Sequence, residues 1–126
     1  MKYVFFIVAI LCFSASCKKT APVINNSIIG KWRLAAALSD PGDVSGKWIP
    51  TNPYNPKYLQ FNPDGTLTNI PAAAYDWDHY RITSDTTIIF YRGTLSFNME
   101  YEFAPSLLTI NPLCIEPCGL KYVPAN

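Results

Sequence analysis

The sequence predicts an all-β protein, an antiparallel up-and-down meander that closes into a small barrel of about eight strands. The composition is typical of strands, because aromatic residues make up 14% of the 126 positions and strong helix formers are scarce. Apolar residues recur at every second position in several short segments, which is the period of a half-buried strand. Tight-turn sequences join these segments, so we expect consecutive strands to pair as hairpins and the sheet to close on itself.

The first predicted strand starts at Gly30 and carries apolar residues on one face. These residues are Trp32, Leu34, Ala36 and Leu38. Residues 39–56 follow, and their many Pro, Gly, Asp and Asn residues predict a long loop without a regular strand. Just upstream of Gly30, Asn26 and Ser27 could cap a single helical turn.

The remaining strands are predicted from alternation and from turn residues. Leu59 and Phe61 share one face, and the Asp64-Gly65 pair that follows is a strong hairpin signal between alternating segments. The later predicted strands are residues 66–70, 77–83, 86–91, 94–103, 107–110 and 120–123. The strand over 94–103 has the clearest pattern, and we expect its apolar side to face the barrel interior. That side consists of Leu95, Phe97, Met99, Tyr101 and Phe103.

The N-terminus predicts export and a lipid anchor. Lys2 precedes an apolar run over residues 3–13, and the small residues 14–16 precede Cys17, which is the pattern of a signal peptide. A cysteine in this place resembles the bacterial lipobox, where the chain is cut before the cysteine and the cysteine is lipidated. The apolar run is shorter than the about 20 residues of a transmembrane helix. A secretory signal that leaves Cys17 as a plain thiol is the alternative.

We therefore expect a lipoprotein signal peptide over residues 1–16, a lipidated cysteine and tether over 17–27, and one barrel domain over 28–126. A chain of this size holds a single hydrophobic core. Ten Lys and Arg stand against nine Asp and Glu, a balance that argues against a nucleic-acid partner. The expected partner is the membrane, through the lipid on Cys17, and the oligomeric state is left open.

Three short motifs resemble the lipocalin-like lipoproteins of Bacteroidetes envelopes. Gly30-Lys31-Trp32 is similar to the Gly-x-Trp signature of lipocalins. Residues 61–66, Phe-Asn-Pro-Asp-Gly-Thr, resemble a hairpin of that group, and residues 114–118 resemble its closing cysteine segment. The motifs occur in the family's order along the chain.

The resemblance implies a barrel with a cavity and a location in the bacterial envelope. It implies structural roles for Gly30 and Trp32, and for Asp64 and Gly65 in the hairpin. The family often places an Arg near the last strand to cover the signature Trp, and this sequence departs from that pattern with Lys121. Acidic residues do not follow Cys17 directly, which by resemblance favours the periplasmic side of the outer membrane over the cell surface.

Cys114 and Cys118 flank three residues that are typical of a hairpin loop. Residues that flank such a loop face each other across the ladder, so a small adjustment would bring the two sulfurs to bonding distance. Export to an oxidising compartment favours a structural disulfide. A redox pair is disfavoured because the spacing is not Cys-x-x-Cys, and a zinc site would need a further ligand.

The chain contains one histidine, His79, with Asp76 and Asp78 close to it in sequence. Alternation along a strand predicts that both carboxylates point away from His79, which disfavours a base held by a carboxylate. Glu100 and Glu102 share the polar side of the strand over 94–103, where solvent exposure is the common case. We expect no enzyme activity, no metal site and no cofactor.

Two functions are compatible with these sequence features. The first is a lipid-anchored binding protein that holds a small apolar ligand in its barrel, with Trp48, Tyr54 and Tyr101 as candidate ligand contacts. For Trp48 and Tyr54 the alternative is that their rings only pin the loop over 39–56 onto the barrel. The second is an envelope interaction protein whose barrel is filled by its own side chains. The number of large apolar residues on the inner face keeps a filled barrel open as an alternative.

We predict that Cys17→Ala abolishes lipidation and releases the domain in soluble form, because several acyl chains hold a protein at a membrane far more firmly than one. Labelling of cells with radioactive palmitate, followed by fractionation, measures both effects. Cys12→Ala is the matched control and is expected to remain labelled. Label that still enters the Cys17→Ala protein would contradict the assignment.

Overall fold

The computed structural model describes residues 26–70, 77–114 and 118–126. The predicted signal peptide, Cys17 and most of the tether lie outside the described residues, and so does Asp76. Within the described part of the chain, the regular structure consists of strands only. They are β1 Gly30–Ser39, β2 Lys47–Pro50, β3 Tyr58–Phe61, β4 Leu67–Ile70, β5 His79–Ile82, β6 Thr87–Arg92, β7 Leu95–Ala104, β8 Leu107–Pro112 and β9 Gly119–Ala125.

These strands form one antiparallel sheet that is nearly closed into a barrel. Its order is β4-β3-β1-β9-β8-β7-β6-β5, and β2 pairs with β1 beside β3. The last strand therefore returns to the first, and the two ends of the order, β4 and β5, meet at a bridge between Thr66 and His79. The prediction of an all-β antiparallel meander that closes into a small barrel is confirmed, with one seam left between β4 and β5.

An extra residue in β1 changes which side chains face the interior. Leu34 lies opposite Tyr122 of β9, but Ala36 lies opposite Lys121, so the register shifts between them. One added residue moves all later side chains of a strand to the other face. The expectation that Trp32, Leu34, Ala36 and Leu38 share a face is therefore wrong, because only the first two belong to the buried core.

The segment 39–56, expected to be a loop, contains strand β2. Trp48 lies opposite Leu38, and Lys47 opposite Ser39. The turn before β2 is held by the Asp40 carboxylate, which accepts hydrogen bonds from the backbone N–H groups of Gly42 and Gly46 at 2.8 and 2.9 Å. The open edge of β1 supplies backbone partners, and this tertiary pairing outweighs the loop-forming composition. The helical turn expected near Asn26 is also absent, since residues 26–28 form bends.

Trp32 is the centre of the core. It is fully buried, and its indole Nε1 donates a hydrogen bond to the backbone oxygen of Ile28 at 2.7 Å. The ring meets Phe103 edge-to-face with 6.1 Å between centroids. Gly30, two residues earlier, adopts a φ of 133°, which side-chain-bearing residues rarely reach. The backbone at Gly30 therefore favours glycine, and the buried site at Trp32 is filled by the indole ring.

We predict that Trp32→Ala lowers the free energy of unfolding by about 3–5 kcal/mol, because it leaves a large cavity and an unpaired carbonyl. Urea denaturation followed by circular dichroism gives the value. Tyr54→Ala is the control, since Tyr54 is 95% exposed and its removal is expected to shift the midpoint little. Equal midpoints for the two variants would show that Trp32 does not hold the core.

Candidate functional site

The barrel interior contains a cavity of about 630 Å³. Its volume lies within the roughly 300–1,000 Å³ of small-molecule sites. The lining residues are Leu59, Asn69, Trp77, Phe90, Leu95, Ser96, Phe97, Met99, Ile110, Pro112, Leu120 and Tyr122. They come from strands β3, β4 and β6 to β9 and from the residue pair before β5, so closure of the sheet is what assembles the wall. Among these described lining residues none carries a formal charge.

The wall contributed by β7 runs from the core to the solvent. Met99 is 8% exposed, Phe97 41% and Leu95 68%. The cavity therefore opens near the turn that joins β6 to β7, with apolar side chains at its mouth. Phe103, at the far end of the same strand, contacts Trp32 instead. The aromatic and aliphatic face predicted for this strand thus closes one end of the barrel and lines an open space at the other.

Trp77 and Asn69 form the part of the wall next to the seam. The Asn69 side-chain Nδ2 donates a hydrogen bond to the backbone oxygen of Trp77 at 3.1 Å, which ties β4 to the segment before β5. The Trp77 ring lies 6.3 Å from that of Phe97, centroid to centroid. Sequence reasoning placed Trp77 in a strand but did not single it out. The available signal was a tryptophan at the start of a predicted strand.

The seam itself is held by the hairpin of Asp64 and Gly65. The carboxylate of Asp64 accepts hydrogen bonds from the Thr66 hydroxyl at 2.6 Å and from its backbone N–H at 2.9 Å, and these bonds lower the pKa of Asp64. Gly65 adopts a φ of 86°, and its carbonyl accepts a hydrogen bond from the Tyr80 N–H at 2.9 Å. The turn thereby joins β5 to the edge of β4.

Three aromatic residues expected at the ligand lie elsewhere. Trp48 lies on the outer face, where the Lys121 ammonium sits 4.1 Å from the ring centroid. Tyr54 is 95% exposed. Tyr101 belongs to the buried core, and its hydroxyl donates a hydrogen bond to the backbone oxygen of Ser84 at 3.3 Å. None of the three is among the described residues that line the cavity.

The register shift in β1 is the physical reason for the placement of Trp48. Because the shift turns Leu38 outward, its cross-strand neighbour Trp48 is also outside. The same contact shows that Lys121 covers Trp48, so it does not take the place of the Arg that lies near the last strand in the family. Gly119 fits this arrangement, since a Cβ there would lie 2.7 Å from the Trp48 ring.

His79 and Asp78 form a pair that alternation did not predict. The imidazole Nδ1 lies 2.7 Å from Asp78 Oδ1, and the ring stacks on Tyr91 with centroids 5.1 Å apart. Asp78 precedes the first residue of β5, so strict strand alternation does not yet apply to it. Neither residue lines the cavity among the described residues. Glu100 and Glu102 are exposed on β7, as expected.

Cys114 and Cys118 are disulfide-bonded, with 6.1 Å between their Cα atoms, so the predicted pairing is confirmed. The bond links the end of β8 to the start of β9 beside the cavity residues Pro112 and Leu120. In the described part of the chain no three His, Cys, Asp or Glu side chains gather as metal ligands would.

No helix among the described residues is both long and apolar enough to span a membrane.

Comparisons of the chain with protein-family models, with curated proteins and with solved structures find no match. The function therefore has to be inferred from the geometry of the cavity and from the sequence motifs.

We predict that Asp64 makes the seam sensitive to acid. Its folded-state pKa is lowered, so its contribution to stability is present above the unfolded value near about 4 and is lost as pH falls through the folded value. Urea midpoints measured between pH 7 and pH 2 should therefore fall more steeply for the parent than for Asp64→Asn. Glu102→Gln, a change on the exposed side of β7, is the control, and parallel curves for parent and Asp64→Asn would contradict the prediction.

Proposed function

We propose that this protein is a lipid-anchored envelope protein that binds a small apolar ligand in its barrel. The observation that carries the proposal is the cavity of about 630 Å³ with a wall of mainly apolar side chains and no charged ones among its described lining residues. An apolar molecule in this space would gain about 25 cal/mol for each Å² of apolar surface removed from water. Burial of about 300 Å² would thus supply roughly 7 kcal/mol before the costs of binding.

The mouth of the cavity supports the same proposal. Leu95 and Phe97 expose much of their apolar surface there, and both line the cavity. Exposed apolar side chains that continue into a concave apolar wall are typical of ligand-binding grooves. A ligand that enters would cover these side chains and leave the outer surface of the barrel unchanged.

The sequence motifs support the membrane anchor and the envelope location in this proposal. Cys17 in its lipobox-like context would hold the domain at the envelope membrane, and the Gly30-Lys31-Trp32 motif resembles that of lipocalin-like proteins with internal cavities. A binding protein tethered beside a bilayer would exchange apolar molecules with it over a short distance. The periplasmic side of the outer membrane is the location we favour.

An envelope interaction protein is the second candidate. Its supporting observation is the outer surface around β2, where Ile49 is 54% exposed and Val44, in the preceding turn, 84%. This candidate requires no ligand in the barrel. It predicts a protein partner that covers β2 and leaves the cavity unoccupied.

We predict that apolar ligands change the fluorescence of Trp77 but not that of Trp48, because Trp77 lines the cavity and Trp48 lies on the outer face. Parent, Trp77→Phe and Trp48→Phe proteins would be titrated with a panel of fatty acids, sterols and quinones. The response should persist in Trp48→Phe and be lost in Trp77→Phe. Native mass spectrometry of the envelope-extracted protein would reveal a co-purified molecule.

The binding proposal would be refuted if no compound changed the fluorescence of the parent protein and native spectra showed only the mass of the protein without a ligand. A response that survives in Trp77→Phe but disappears in Trp48→Phe would also refute binding in the barrel, because it would place the compounds on the outer surface beside Trp48.

A further inference from the structure

Tyr122 is a polar residue in an otherwise apolar part of the cavity wall. It lies on β9, opposite Leu34 of β1 and Leu108 of β8. The residue lines the cavity and is 8% exposed. Its ring packs in the core. The other lining residue of β9 is Leu120, so the Tyr122 hydroxyl is the side-chain hydrogen-bond donor that this strand brings to the described wall.

The Tyr122 hydroxyl has no hydrogen-bond partner among the described residues, unlike the hydroxyls of two comparable tyrosines. Tyr80 donates to the backbone oxygen of Asn62 at 2.8 Å, and Tyr101 donates to that of Ser84 at 3.3 Å. Buried tyrosine hydroxyls usually find such a partner, because an unpaired buried donor is costly. A buried donor that lacks a protein acceptor, on a residue that lines a cavity, is a ready contact for a ligand.

The absence of charged side chains from the described wall limits which hydrogen-bond acceptor a ligand can bring to Tyr122. No described lining residue is basic or acidic, so a carboxylate or an ammonium in the cavity would be desolvated without a counter-ion. Burial alone raises the pKa of Tyr122 to about 12, and the hydroxyl therefore remains a neutral donor at all physiological pH values. An uncharged oxygen satisfies the donor at no cost in buried charge.

We propose that Tyr122 is a ligand-binding residue that donates a hydrogen bond to an uncharged carbonyl oxygen of an otherwise apolar ligand. The inference rests on the proposed function and narrows its ligand class to ketones, esters and quinones, with hydrocarbons and free fatty-acid anions binding less tightly. The ring of Tyr122 packs against the apolar part of the ligand, and its hydroxyl sets the orientation.

The test compares three probes of equal chain length: methyl nonyl ketone, undecane and undecanoate. Their dissociation constants would be measured by isothermal titration calorimetry on the parent, on Tyr122→Phe and on Tyr101→Phe. The last variant loses the same atom from a buried tyrosine that does not line the cavity and serves as the matched control. Thermal unfolding of each ligand-free variant is recorded in parallel.

The parent should bind the ketone about three- to tenfold more tightly than undecane, the range expected for one neutral hydrogen bond. Tyr122→Phe should lose this preference and keep the affinity for undecane, while Tyr101→Phe should keep both. The melting temperature of Tyr122→Phe should not fall, since its change removes an unpaired hydroxyl rather than a bond.

Four results would overturn the inference. An unchanged ketone preference in Tyr122→Phe would show that the hydroxyl does not contact the ligand. A clear loss of melting temperature in the ligand-free variant would show that the hydroxyl already has a partner within the protein. Tightest binding of undecanoate would exclude the neutral-acceptor class while leaving the proposed binding function intact, whereas no binding of any probe to the parent would refute both.

Discussion

The pairing of β1 with β9 is the contact on which the rest of the structure depends. The two strands are the first and the last of the domain in sequence. Their ladder runs from Lys31 with Ala125 to Leu38 with Gly119. Joining segments this far apart costs about 4 kcal/mol of loop-closure entropy by the (3/2)RT ln n estimate. Burial of Trp32, Leu34 and Tyr122 along this ladder offsets that cost, at about 1.5–3 kcal/mol for a large apolar side chain. Without the pairing there is no enclosed interior and no cavity.

The extra residue within that ladder divides the molecule into two environments. On one side of the shift, Trp32 and Leu34 face the core. Beyond it, Leu38 and its neighbour Trp48 face outward, where Trp48 meets Lys121. Because of this single backbone irregularity, Trp32 packs in the core and Trp48 packs on the outer surface. The cavity is therefore lined by other side chains.

The cavity lies toward one end of the barrel, and packed aromatic rings occupy the other. Toward Trp32, aromatic rings meet across the interior, with Phe61 and Tyr80 4.9 Å apart and Trp32 and Phe103 6.1 Å apart. Toward the β6–β7 turn, the side chains of Phe97 and Leu95 are increasingly exposed. The seam is joined by the Asp64 turn and by the Asn69 side chain rather than by a full ladder. The apolar wall and the open mouth thus occur at the same end of the barrel.

The sequence by itself determined the fold class, most of the strands, the hairpin at Asp64-Gly65 and the disulfide between Cys114 and Cys118. These features depend on local patterns: a period of two, turn residues with a known backbone preference, and cysteines across a short loop. Only the tertiary structure decided the strand β2, the register shift in β1 and the site. Each depends on which segments meet across the barrel, and no local pattern encodes that. The volume left inside a closed sheet is a small difference between the space enclosed and the side chains that occupy it, so Trp77 and Tyr122 became candidate ligand contacts only once the strands were placed.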